Sequence, residues 1–147
     1  MTDINFNYRS PPPAEPITKK KPELKRENEC RRIFEKIFNK KFKKVRPKWL
    51  RNDATNCNLE LDGYCADIIT PIGKGLAFEH DGAQHRQYTP HFQKSENDFV
   101  YQTKKDELKF WKCKQQGIIL IRIPDTVIFD NLESYIKDKL DVFGVRY

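Results

Sequence analysis

Long apolar runs are missing from this chain. No stretch approaches the roughly 20 residues that a membrane-spanning helix needs, and the first residues lack the apolar core of a secretory signal peptide. The sequence is therefore read as that of an intracellular protein, with no membrane partner expected. Paired cysteines are also missing: Cys30, Cys57, Cys65 and Cys113 form no CxxC motif. A disulfide framework is not expected inside cells, so each is taken as an ordinary thiol. Internal repeats are absent, and acids are scarce in the first third. Residues 1–51 hold 16 Lys or Arg against 6 Asp or Glu, a net +10 within a chain of net +7. A basic half beside a mildly acidic half suits a polyanion-gripping surface next to a metal-binding site.

The chain is 147 residues long, which fits one domain. Residues 1–22 read as a disordered basic arm, with Pro11-Pro12-Pro13 and Lys19-Lys20-Lys21-Pro22 offering little to bury. The folded domain is expected over 23–147. A helix from about Glu23 to Phe42 carries Cys30, Ile33, Phe34, Ile37, Phe38 and Phe42 on one stripe. A short strand over Val45–Leu50 is limited by Pro47, and 51–58 reads as a polar loop. Strands over Leu59–Ile69 and Leu76–Asp81 form a hairpin across the turn Thr70-Pro71-Ile72-Gly73. After a loop, Ser95 opens a second helix that Gly117 ends. Ile118–Ile123 is a strand apolar enough to be buried on both faces. Asp130 and Glu133 are expected to cap a last helix. The order α-β-β-β-α-β-α implies an α/β fold with a mixed central sheet and a C-terminal helix.

The chemistry concentrates in Leu59–Tyr64 (Leu-Glu-Leu-Asp-Gly-Tyr) and Ala77–His85 (Ala-Phe-Glu-His-Asp-Gly-Ala-Gln-His). Asp62 lies on one hairpin strand and Glu79 on the next. Paired strands are ~5 Å apart, so the two carboxylates can share one cation. Glu79 and Asp81 point to one face of their strand, and His80 to the other. Such an oxygen-rich set, Asp62, Glu79 and Asp81, suits Mg2+ or Mn2+. A cation of that kind polarises a phosphoryl oxygen and acidifies a water for attack on phosphorus. Asp67, on the same strand, competes with Asp62 for the metal role. His85 has an ordinary pKa near ~6.5 and can serve as a base at neutral pH. Glu27 fits either a metal site or a dipole-friendly surface position. Arg31, Lys40, Lys43, Lys44, Arg46, Lys104 and Lys105 are the candidate nucleic-acid contacts, and Lys109 either joins them or pairs with Asp106 along the helix. Trp49 and Trp111 are assigned to the core.

These segments resemble a viral and phage group of nuclease-like proteins in the PD-(D/E)XK superfamily, close to the very-short-patch-repair branch. The likeness rests on Glu27, Arg46-Pro47-Lys48-Trp49-Leu50, Leu59–Tyr64, Ala77–His85, Phe92, Asp106, Lys109 and Ile119–Pro124, and covers about residues 24–124. It implies a restriction-endonuclease-like αβββαβ core and a metal-dependent endonuclease acting on DNA. Asp62 and Glu79 would be its metal-binding acids and a 5′-phosphate its product. It also implies a virus-encoded protein working in the cytoplasm or nucleus of a host cell, as a monomer or a homodimer. The sequence departs from the pattern where Asp81 stands in place of the Glu-x-Lys lysine, a role then expected of Gln84 or His85. That departure motivates the alternative of a catalytically inactive nuclease-fold DNA-binding module. A zinc site from Cys65, His85, His91 and Cys113 is a third reading.

Overall fold

The computed structural model describes residues 21–82 and 96–147, with side chains from Lys104 onward in the second stretch. The first helix, α1 (Lys21–Phe38), begins two residues before the expected boundary. Pro22 sits in its first turn, where a missing N–H costs nothing. It stops four residues early because Asn39 takes a left-handed backbone, φ 53°. Phe42 still reaches the core, folding back from beyond the helix.

The strands are β1 (Lys43–Val45), β2 (Arg51–Asn52), β3 (Cys57–Asn58), β4 (Leu61–Thr70), β5 (Gly73–Asp81) and β6 (Ile119–Pro124). Helix α2 (Glu96–Gln115) precedes β6, and a 3-10 turn (Phe129–Asn131) leads into α3 (Leu132–Phe143). The main sheet runs β1-β4-β5-β6, with antiparallel pairs except for the parallel β5–β6. This is a mixed α/β protein with a mixed-orientation sheet and a C-terminal helix. The expected first strand over Val45–Leu50 is displaced to Lys43–Val45, because Pro47 cannot donate to the ladder and its carbonyl instead accepts from the Leu50 amide. Part of the expected polar loop is a two-stranded ribbon, Arg51–Asn58 and Asn52–Cys57. The last helix starts at Leu132 after Asn131, with no side-chain cap bond, so the expected cap by Asp130 and Glu133 does not form. Of the expected arm over 1–22, Lys21 and Pro22 open α1, and its first twenty residues, the loop from 83 and the Ser95 cap lie outside the described residues.

Two apolar clusters cover the two faces of the sheet. One holds Phe34, Phe42, Phe78, Ile121, Ile123, Ile136 and Leu140 under α1 and α3. Phe34 and Phe78 stack at 4.8 Å, and Phe42 tilts against both. The other holds Leu50, Leu61, Ala77, Cys113, Ile118 and Leu120 under α2. Strand β6 feeds both clusters, Ile119, Ile121 and Ile123 into one and Leu120 into the other. Each fully buried Leu, Ile or Phe contributes about 2 kcal/mol relative to exposure, and that sum rigidifies the hairpin carrying the acids.

Candidate active site

Antiparallel register pairs Gly63 with Phe78. Asp62 and Glu79 are the next residues beyond that last pair of the β4–β5 ladder. Their side chains take over the bonding. The Asp62 amide donates to Glu79 Oε2 at 2.9 Å, and the His80 amide donates to Asp62 Oδ2 at 2.9 Å. Both residues are at most 5% exposed. A buried carboxylate is costly without charge-assisted partners. Glu79 finds one on α2: Lys109 Nζ lies 2.9 Å from Glu79 Oε1, and Lys109 is itself buried.

The face toward α1 is built around Glu27, which is 1% exposed. Its Oε2 accepts from Arg31 at 2.8 Å and pairs with Lys44 Nζ at 3.0 Å. The same Arg31 nitrogen donates to the Asp62 carbonyl at 2.5 Å, tying helix to strand. Glu27 is thus no surface residue but part of the assembly around Asp62. Asp67, the rival to Asp62, is exposed on the hairpin and away from Glu79. Asp81 pairs with Arg122 at 3.0 Å, and Arg122 also donates to the Asp106 carbonyl. Among the described residues no three His, Cys, Asp or Glu side chains gather as a metal-holding group. His80 turns to the opposite face from Glu79, as alternation predicts, and accepts from Arg26 Nε at 3.0 Å. Gln84, His85, His91 and Phe92 lie outside the described residues.

Local charge follows this geometry. Burial pushes the Cys30 thiol up to about 12, with the Asp62 charge adding to it. Burial does the same to Cys113, pushed up to about 12 with help from Glu79. Lys105 is held below its ordinary value, first by burial and then by the neighbouring Lys109, against the pull of Asp106 and Glu79. Of the candidate phosphate contacts, Lys40, Lys43, Lys44 and Lys104 are exposed, and so is Arg46, which bonds the Asn58 carbonyl and pairs loosely with Glu60. Arg31 serves the protein interior instead. Trp49 packs against Tyr64, as expected of a core residue. Trp111 does not: it is 57% exposed, because Leu108, Lys109 and Cys113 take the inward face of α2. The zinc reading loses its geometry, since Cys65 and Cys113 lie in clusters on opposite faces of the sheet.

The site is thus a buried carboxylate pair on a β-hairpin, flanked by an acid from one helix and a lysine from another. Proteins of known sequence are similar to this chain over most of its length. The chain is 34% identical over 136 residues to uncharacterized protein 033L of Invertebrate iridescent virus 3, spanning 90% of this chain and 67% of that one. It is 35% identical over 130 residues to uncharacterized protein 094L of Frog virus 3 (isolate Goorha), spanning 87% and 79%. It is 36% identical over 108 residues to uncharacterized protein 307L of Invertebrate iridescent virus 6, about half of whose length it spans. The chain belongs to the family of these viral proteins. No protein-family model and no solved structure matches it.

Proposed function

We propose that this is a virus-encoded, Mg2+- or Mn2+-dependent endonuclease of restriction-endonuclease-like fold that hydrolyses DNA phosphodiester bonds. The observation that carries the reading is the Asp62–Glu79 pair, locked by two backbone bonds and faced by Lys109. Leaving out the short β2–β3 ribbon, the element order is α-β-β-β-α-β-α, with both acids just beyond the last pair of the β4–β5 ladder. The donor set fits the cation. Magnesium is commonly held by one or two carboxylates, with substrate phosphate and water completing its shell, so a third protein ligand is not required. When bound, such an ion polarises a phosphoryl oxygen and activates water at neutral pH.

The chain's own residues supply the rest. The Asp62 and His80 amides fix the carboxylates so that no reorganisation is needed when a phosphate arrives. The ammonium that a Glu-x-Lys strand would carry two residues after the acid comes here from α2, as Lys109. It bonds Glu79 Oε1, and with DNA bound it would meet charge developing at phosphorus. Glu27 and Arg31 hold Asp62 from the other side. Exposed Lys43, Lys44, Arg46 and Lys104 supply the salt-sensitive grip on the backbone.

The test is cleavage of supercoiled plasmid in EDTA, Mg2+ or Mn2+ by the wild type, Asp62→Asn and Glu79→Gln. Both substitutions remove the charge with little change of shape, Glu79→Gln keeping one of its two acceptor oxygens, and thermal melts verify folding. Metal-dependent nicking by the wild type that falls at least a hundredfold in both variants is expected for lost charge stabilisation of the transition state. Cleavage that survives in both variants refutes the assignment. Salt-sensitive DNA binding without cleavage under any condition replaces it with the inactive binding module, a reading favoured by Lys109 already neutralising Glu79.

A further inference from the structure

The outward face of α2 carries two exposed aromatic side chains, Phe110 and Trp111. Lys104, Glu107, Phe110, Trp111 and Lys114 recur at helical spacing on that face, and all five are exposed. Phe110 is 41% and Trp111 57% exposed, although aromatic side chains are among the residues most strongly driven to bury. The two rings meet edge to face at 6.1 Å, which holds the indole in a defined orientation. Lys114 places its ammonium 5.3 Å from the indole centroid. Trp111 follows Lys109 by two residues, so at about 100° per residue it points away from the carboxylates while riding on the same helix.

We propose that this face is a stacking platform for single-stranded nucleic acid, in which Trp111 takes one unpaired base and Lys104 and Lys114 take neighbouring phosphates. Every base has a π-face, so a rigid, exposed indole offers stacking without sequence preference. The flanking lysines supply the complementary charge, with Glu107 the one opposing group on the stripe. A self-association face fits less well. Two aromatic side chains bury roughly 150–250 Å² each, whereas a stable dimer needs about 800 Å² per partner, and the charges of Lys104, Glu107 and Lys114 interrupt the patch.

The inference deepens the nuclease reading. It rests on nucleic acid being the partner and on none of the cleavage chemistry. A base can stack on Trp111 only when it is unpaired, which points to substrates with frayed, flapped or single-stranded segments.

The experiment is fluorescence anisotropy of a labelled short oligodeoxythymidylate and of a duplex of equal length, in EDTA at low salt. Trp111→Ala should weaken single-strand binding about tenfold, the scale of one stacked base. Trp111→Phe should retain it within about threefold, and duplex binding should change little. Three results would overturn the proposal: no binding of the oligonucleotide by the wild type, equal binding by Trp111→Ala, or a wild-type dimer in sedimentation that Trp111→Ala dissociates. Plasmid cleavage is scored separately, so loss of the platform and loss of the nuclease reading are distinct outcomes.

Discussion

Lys109 and Glu79 are thirty residues apart in sequence, yet each is the other's buried counter-charge. Removing one partner of such a pair strands the other in a low-dielectric setting, which typically costs about 3–5 kcal/mol. Lys109→Met is therefore expected to destabilise the fold by roughly that amount. The double variant Lys109→Met, Glu79→Gln should recover much of the loss, because no charge is then left buried. Urea denaturation of the four proteins measures the coupling, and strictly additive losses would contradict a direct pair. At the same scale, part of the site was readable beforehand. Asp62 and Glu79 sit on adjacent strands of one hairpin, so a turn signal and strand spacing bring them together. Lys109 carried no such signal: a lysine beside Asp106 on a helix looks like a solvated pair until the helix is docked.

Among the elements, the β4–β5 hairpin depends on one close approach. A Cβ at Gly63 would fall 2.0 Å from the Phe78 ring, which is itself sandwiched against Phe34. Phe78 is fully buried and has nowhere to retreat. Gly63→Ala is thus expected to cost about 1–3 kcal/mol by overpacking. It should also shift the backbone of Asp62 and so weaken any metal response more than Asp67→Ala does. Melting temperatures and metal titration of both variants check this, and an Asp67 variant with the larger effect would reverse the choice between the acids. Helix α2 ends as its sequence specifies: Gly117 takes φ 73°, and the Ile118 amide returns to the Cys113 carbonyl at 2.9 Å in a Schellman closure. That closure fixes where α2 stops. It does not fix which way Trp111 faces, because rotation of an amphipathic helix is set by what it packs on.

In the whole molecule, two thiols are buried so deeply that folding opposes their ionisation. Cys30 and Cys113 are each raised from an ordinary 9.0 to about 12 by burial. Below pH 9 they are protonated in both states and contribute nothing to the balance. Above it the unfolded chain releases protons that the folded chain keeps, so stability falls as pH rises from about 9 toward 12. Tyr64, also raised by burial, acts in the same direction, while Lys105, held low, acts oppositely. The net expectation is a urea midpoint that drops as pH rises above about 9, with a flatter profile in Cys30→Ala, Cys113→Ala. An unchanged slope in that variant would assign the effect elsewhere. The basic excess acts at this scale too. With a net charge of +7, binding to any polyanion should weaken steeply with salt.

The sequence by itself determined what is local or periodic: the apolar stripe of α1, the hairpin and its acid pair, the doubly buried β6 and the glycine stop after α2. Hydrophobic spacing and turn chemistry act over a few residues, and they survive whatever the rest of the chain does. Only the tertiary structure decided what depends on docking. It made Arg31 the tie between Glu27 and Asp62. It turned Asp81 toward Arg122, brought Lys109 to Glu79 and left Trp111 outside the core. Those outcomes rest on long-range burial of charge and on the rotation of one helix over one sheet face, which no short window of sequence contains.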